Sequence, residues 1–504
     1  MTGPLDDSVA RDARVRAAFD PNNLQALGHR LVERLTSHLQ GVQASSGRVL
    51  NWGEPTEFIA AAHAILDAAP QSLSPSSLPE LETRFESLVT EMLGHGHNLH
   101  DPHYIGHQVP APVPVAGWFD AIGSVTNQVM AIYEMGPWAT AVERALIERL
   151  GEQAGWQRGQ FAGLVTHGGS LANLTGLLTA RNVTLGRVWE DGFQSGAAPV
   201  LVAQQDAHYS VARSAGILGL GTSNVVRAAL NARRQMDPQK LDEQLAALKA
   251  AGRPVIAVSA CACATPIGAF DPLADIAAVC RKHEVWLHVD AAHGGAACFS
   301  RKYRHLLRGV DEVDSLVWDA HKMMFVPALC AFVLYRNRAH RFEAFRQDAP
   351  YLFDPSAPGM AEYDSGMLTA ECTKRAATYA LWGTWSLFGQ RLFEDLVDVT
   401  FDRAREFYEL LNESPDFETL HEPECNIVAF RYVPDSLRQA PEEVISNFML
   451  NLRRDLIRSG EFYIVQTKLN GQQALRVTVM NPLTSREDLI ALMDAIRRFG
   501  AKLL

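Results

Sequence analysis

The chain has 504 residues, a formal charge of −11, 47% hydrophobic residues and 20% charged ones. A chain of this length is expected to form two or three domains around a large core that needs no disulfide staples, and the composition excludes a disordered, collagen-like or coiled-coil protein. The acidic balance excludes the overall basic field of a nucleic-acid binder. No uninterrupted apolar run reaches the ~18 residues of a membrane span, and the opening MTGPLDDSVARDAR lacks the pattern of a secretion signal. Seven cysteines, an odd number scattered mostly through apolar segments, suit reduced thiols in a cytoplasmic enzyme.

In chain order, Leu24, Leu27, Leu31 and Leu35 keep a helical period, and a second helix is predicted from Glu57 to Ala68. The Pro/Ser-rich segment 70–79 reads as a linker before an amphipathic helix from Glu80 to Leu93. Residues 101–114, rich in Pro and His, read as a loop, followed by a helical region through Leu150. From 161 onward short apolar runs alternate with helical pattern: 162–166, 199–204, 254–260, 285–290 and 315–319. Fully apolar strands spaced by helices indicate a mainly parallel sheet covered on both faces, an α/β fold. Near the end, Asn470-Gly471 between two β-rich runs signals a hairpin, and Thr484-Ser485-Arg486-Glu487 reads as the capping box of a closing helix over ~486–500. The expected domains are an N-terminal helical segment (1–100), a large α/β domain (101–385) and a small C-terminal α+β domain (386–504).

Four segments bear on chemistry. Thr166-His167-Gly168-Gly169-Ser170 joins a strand to a helix, where glycines admit a ligand close to backbone N–H groups and the helix N-terminus favours an anion. Asp290 ends an apolar strand, at the edge where open α/β sheets bind ligands; its alternative role is that of a cap for the next turn. Lys322 follows another strand end and precedes an apolar run, Met323 to Tyr335, so that desolvation can free an amine for Schiff-base chemistry. His208 follows the strand near 199–204. Each segment has a bland structural reading. In order, though, they are what pyridoxal phosphate requires: an amine for the aldehyde, a carboxylate for the pyridine nitrogen, an imidazole to stack on the ring and a turn to grip the phosphate.

With HGGSLANLTGLLTARN (167–182), AHYSVARSAGILG (207–219), GAFDPLADIA (268–277), HVDAAHGG (288–295) and DAHKMM (319–324), together with YEMGPWATAVE (133–143) and LRVTVMNP (475–482), the chain resembles the group II pyridoxal-phosphate decarboxylases over roughly residues 95–500. That family includes glutamate, aromatic amino acid, cysteine sulfinate and diaminobutyrate decarboxylases. The resemblance implies the aspartate aminotransferase fold (fold type I), with a seven-stranded cofactor domain, and a homodimer with active sites at its interface. It implies pyridoxal 5'-phosphate as cofactor and an amino acid as substrate, decarboxylated to the amine. Lys322 matches the Schiff-base lysine and His321 its usual neighbour. Asp290 matches the pyridine-nitrogen partner, Ala292 the small residue under the ring, His208 the stacking histidine, and Gly169 with Ser170 the phosphate turn. Tyr351 matches the mobile-loop tyrosine that protonates the product carbanion, and Arg476 an arginine associated with the substrate carboxylate. His107 and Gln108 are further substrate-contact candidates.

Departures from the family pattern stand at three places. Asp319 replaces a residue that is Asn in many relatives; a carboxylate beside a phosphate would be repulsive, so Asp319 is expected to point away. Ala262-Cys263-Ala264-Thr265 stands where Ala-Gly-Thr-Thr is common. Ile105-Gly106-His107 replaces the Phe-Asn-Gln of glutamate decarboxylases, so glutamate specificity does not transfer, although YEMGP resembles the acidic-substrate branch.

Other signals rank lower. Histidines 95, 97, 100, 103 and 107 lack paired metal spacing and read as a polar substrate-entrance loop; no metal site is expected. Cys261-x-Cys263 reads as buried thiol rather than a redox pair. Gly168-Gly169-Ser170 approximates a hydrolase elbow, but the order of a hydrolase would need a late histidine such as His421, and the oxyanion segment would follow the serine. An aldehyde synthase or carbon–carbon lyase on the same cofactor, and a non-catalytic binding protein, are the remaining alternatives.

Overall fold

The computed structural model describes residues 4–69, 78–194, 196–345 and 361–504. The chain divides into two compact units, one of residues 1–105, 450–464 and 483–504, the other of residues 106–449 and 465–482.

In the first unit, helices Pro21–Gln43, Pro55–Asp67 and Leu78–Gly94 occupy the segments whose apolar spacing predicts them. Asp20 caps the first of these by accepting from Asn22 N–H, with proline at the first turn where no amide donor is needed. The closing helix spans Arg486–Gly500, but its capping box uses Ser485 and Asp488, one residue later than the sequence pattern suggests. With Ser485 as the cap, Asp488 rather than Glu487 stands at the third helical position, and its carboxylate accepts from the Ser485 N–H.

The second unit is built on a seven-stranded sheet: β1 (Ala162–Thr166), β2 (Val200–Gln204), β3 (Val225–Ala228), β4 (Val255–Cys261), β5 (Leu287–Asp290), β6 (Ser315–Asp319) and β7 (Ala331–Tyr335). Their order is β1-β7-β6-β5-β4-β2-β3, with β7 antiparallel to both neighbours and the other pairs parallel. Strands β1, β2, β5, β6 and β7 are buried at every residue, which is why their sequences are mostly apolar. Helix Gly169–Leu185 covers one face, packing Ala172, Leu177 and Leu178 with Val317 and Val333; Leu316 and Trp318 belong to the core on the other face. Two strands, β3 and β7, were not expected from the apolar runs. A second sheet of four antiparallel strands includes β8 (Phe417–Thr419), β9 (Ile427–Tyr432), β10 (Val465–Leu469) and β11 (Gln472–Thr478). β10 and β11 form the expected hairpin, with Asn470 and Gly471 at φ 50° and 85°, as a two-residue turn of that twist requires.

A buried ion pair anchors β1, at the edge of the seven-stranded sheet. Lys374 Nζ donates to both Glu143 carboxylate oxygens at 2.7 and 2.8 Å and to Val165 O at 2.8 Å, while Val165 N–H donates to Glu143. Lys374 and Glu143 side chains are 1% and 8% exposed. Removing one partner strands the other charge in the interior, so Lys374→Met should lower unfolding free energy by about 3–5 kcal/mol, read from denaturant midpoints.

Candidate active site

The carboxyl ends of β1, β2, β4, β5 and β6 open on one cavity of about 300 Å³. This is the edge where parallel sheets present their loops and helix N-termini to ligands. After β1 the backbone turns at Gly168, φ 109°, a conformation L side chains rarely adopt, and enters the 17-residue helix Gly169–Leu185. The first-turn amides at Gly169 and Ser170 have no earlier helical carbonyl to bond, so this end suits an anion.

Asp290 and His208 reach the cavity from β5 and from the turn after β2. Asp290 Oδ2 accepts from Asn173 Nδ2 at 2.9 Å and Oδ1 from Ala292 N–H at 3.1 Å. The amide of Asn173 also donates to Ser210 Oγ at 3.1 Å. Ser210 in turn lies 2.8 Å from His208 Nδ1, which also accepts from the Ser210 N–H. Nδ1 is therefore the acceptor and the His208 proton sits on Nε2. Burial lowers the His208 pKa, which favours that neutral ring.

Behind Asn173 the bonds continue in one direction. Trp286 Nε1–H donates to Ser315 Oγ at 2.9 Å, Ser315 lies 2.8 Å from His288 Nδ1, and His288 Nε2 lies 2.9 Å from Asn173 Oδ1. Because Asn173 Oδ1 can only accept, His288 donates from Nε2 and accepts at Nδ1. Asn173 and His288 escaped the sequence reading. Their only signal was position: a histidine inside an apolar strand, and an asparagine one turn into the helix after the glycines.

Lys322 is 23% exposed at its side chain, with Nζ 3.3 Å from Asp319 Oδ2. The amine is thus set beside a carboxylate rather than among apolar groups alone, as its flanking residues suggested. His321 lines the cavity with Nε2 3.6 Å from the same oxygen. The expectation that Asp319 points away is wrong. A Cβ on Gly169 would lie 2.6 Å from Asp319 Oδ2, so the carboxyl rests against the turn after β1. The pleat explains this: Val317 faces helix Gly169–Leu185, and Asp319, two residues on, shares its face. Asp319 Oδ1 is buried without a hydrogen-bond partner among the described residues, and burial raises its pKa.

Gly169, Ser170, Ala292 and Gln108 line the cavity; His107 is exposed and is not among the lining residues. Arg476 is buried behind the wall, with Nη1 2.8 Å from the carbonyl of Thr265, which does line it. Burial pulls its guanidinium pKa down to about 10. Tyr351 lies outside the described residues. Of the histidine-rich stretch, His97 packs edge-on against Tyr104 and Tyr463, and His103 stacks on Phe462 and bonds Asp488 at 3.2 Å; both are structural members of the first unit. His421 accepts from Ala429 N–H in the small sheet and is absent from the cavity lining, which removes the late histidine a hydrolase would need.

Residues 66–433 match the model of the pyridoxal-dependent decarboxylase conserved domain. The acidic amino acid decarboxylase GADL1 of Xenopus tropicalis is 31% identical over 389 residues, 76% of each chain, and its Homo sapiens counterpart is 31% identical over 381 residues, 74% of this chain and 73% of that one. The structure of mouse CSAD in apo form superposes with a TM-score of 0.86 at 27% identity, covering 95% of this chain and 99% of that one. Oryza sativa TDC with PLP and tryptamine gives a TM-score of 0.85 at 22% identity, covering 96% and 99%. The chain belongs to the pyridoxal-dependent decarboxylase family. It is a carboxy-lyase acting on amino acids, its cofactor is pyridoxal phosphate, and its fold is fold type I. The residues fit that group: a helix N-terminus for the phosphate, an amine, and a carboxylate whose orientation is locked by two donors share one cavity. Among the described residues no helix is long and apolar enough to cross a membrane.

Burial holds the His288 imidazole well below its ordinary pKa of 6.5. The unfolded chain takes up a proton there that the folded chain refuses, so stability present above pH ~6.5 is lost as the pH falls below it. Urea midpoints measured from pH 7 to 5 should drop, and His288→Gln should flatten the drop.

Proposed function

We propose that the protein decarboxylates a small acidic L-amino acid to the corresponding amine and carbon dioxide. The observation behind this reading is the convergence of Lys322, Asp290, His208 and the Gly169 helix end on one cavity. The acidic class is supported by the relatives named acidic amino acid decarboxylase GADL1. Lys322 would hold pyridoxal phosphate through its amine, Asp290 would face the pyridine nitrogen, His208 the ring from one side and Ala292 from the other. The Gly169–Ser170 amides would take the phosphate. When bound, the cofactor supplies an electron sink for the pair left when the Cα–carboxylate bond breaks.

The chain's own groups do the rest. Asn173 keeps the Asp290 carboxylate in a fixed orientation, so no reorganisation is needed as charge shifts. His208, its proton on Nε2 and its Nδ1 occupied, presents a neutral ring face. Asp319 Oδ2, 3.3 Å from Lys322 Nζ, would orient the lysine amine and share its proton. Tyr351, on the segment outside the described residues, is the proposed acid that protonates Cα, and Arg476 the partner of a substrate carboxylate. A homodimer with cofactor sites at its interface and a cytoplasmic location complete the reading.

Lys322→Ala should abolish the visible absorbance of the loaded enzyme and all turnover. A panel of acidic, aromatic and diamino acids should give amine and carbon dioxide in equal amounts from the acidic members, without ammonia or peroxide. Preference for aromatic substrates, or release of ammonia with peroxide, would overturn it.

Asp319 makes cofactor affinity pH-dependent. Burial raises its pKa, so as the pH falls this carboxyl takes up a proton earlier than an ordinary carboxylate; the neutral form can donate to a phosphate, whereas the ionised form puts a negative charge there. Pyridoxal phosphate should therefore bind the apoenzyme less tightly as pH rises, and Asp319→Asn should flatten that trend in absorbance titrations.

A further inference from the structure

We propose that Cys263, His293 and Cys425 form a binding site for a thiophilic divalent cation, of which zinc is the natural probe, in the wall of the same cavity. The three ligand atoms lie within 4.8 Å of one another, and all three residues are buried. The sulfurs are 3.8 Å apart. Two sulfurs each ~2.3 Å from a tetrahedral zinc are separated by about 3.8 Å, so the sulfur spacing matches that of a shared ion.

The histidine is already in the required form. Asn426 donates from Nδ2 to Val479 O at 3.0 Å, which leaves its Oδ1, 2.7 Å from His293 Nε2, as an acceptor. His293 therefore carries its proton on Nε2 and a lone pair on Nδ1. That Nδ1 is buried in a residue only 3% exposed and has no hydrogen-bond partner among the described residues. A carbonyl acceptor on the far nitrogen is the usual support of a metal-bound imidazole. The sulfurs of Met323 and Met480, 3.4 and 3.1 Å from Asn426 Nδ2, keep the surroundings soft and dry.

Charge and access agree. Binding replaces two thiol protons, released to solvent, by two sulfur–metal bonds; the two thiolates cancel a divalent charge, so Arg476, which faces both sulfurs, does not repel the ion. Cys263 and His293 line the cavity that holds Lys322, so ion and fourth ligand enter from that side. Three protein ligands with one open place is the arrangement of zinc sites that exchange a ligand. The inference does not depend on which amino acid is decarboxylated.

The test uses cofactor-loaded protein carrying Cys372→Ser, since Cys372 is the one cysteine that is not buried. Zinc titrated against a chromophoric chelator should bind one per chain and release two protons. Cys425→Ser and His293→Gln should abolish that binding, Asn426→Ala should weaken it about 10–100-fold, and Cys280→Ser should leave it unchanged. X-ray absorption of zinc on the otherwise unmutated protein should show two sulfurs at about 2.3 Å and at least one nitrogen at about 2.0 Å. Lack of stoichiometric uptake, a zinc shell without sulfur, or affinity that survives both ligand substitutions would overturn the proposal.

Discussion

The side-chain amide of Asn173 is the joint on which the site turns. Its two N–H groups reach Asp290 and Ser210, and its oxygen receives His288. Through these bonds one buried residue sets both the carboxylate and, by way of Ser210, the tautomer of His208. Flipping the amide would place an oxygen against a carboxylate and an N–H against an N–H, so the network admits one orientation only. The chain from Trp286 through Ser315 and His288 enforces it from the far side of the helix–sheet interface. A fully satisfied network of this kind rigidifies what it touches, because each bond in a low-dielectric interior is costly to leave unmade.

Opposed to that order is the electrostatic tension at Asp319. A buried carboxyl lies against the N-terminal turn of the helix and within ion-pair distance of Lys322, with one oxygen unbonded among the described residues. Burial disfavours its charge and the lysine favours it, so its protonation depends on what else occupies the cavity. The geometry follows from β-strand alternation, which leaves no freedom to turn the residue outward once Val317 is packed.

Much of this was legible in the sequence because the physics is local. Buried parallel strands appear as apolar runs, and the residues ending them, Asp290 and Lys322's neighbour Asp319, fall at the ligand edge by construction. The strands that escaped notice lack that contrast. β3 is short and half-buried at the sheet edge, and β7 is hidden inside a longer apolar run from Met323. Asn173 and His288 were invisible because a polar side chain inside an element announces a partner without naming it. The thiols illustrate the same limit: Cys261 and Cys263 sit close in sequence, whereas Cys263 finds its sulfur neighbour 162 residues away in Cys425.

Gly176 completes the account of the helix that begins at the glycine turn. A methyl group there would come within 2.7 Å of the His288 ring, two turns downstream of the cavity. The bare backbone at that point lets the helix lie close enough for Asn173 to span the gap to β5. An alanine would act as a wedge, tilting the rod and swinging its amide end out of alignment. Tolerance to substitution along this helix is thus governed by clearance from the sheet, and a residue that never meets a ligand decides where the anion-facing end points.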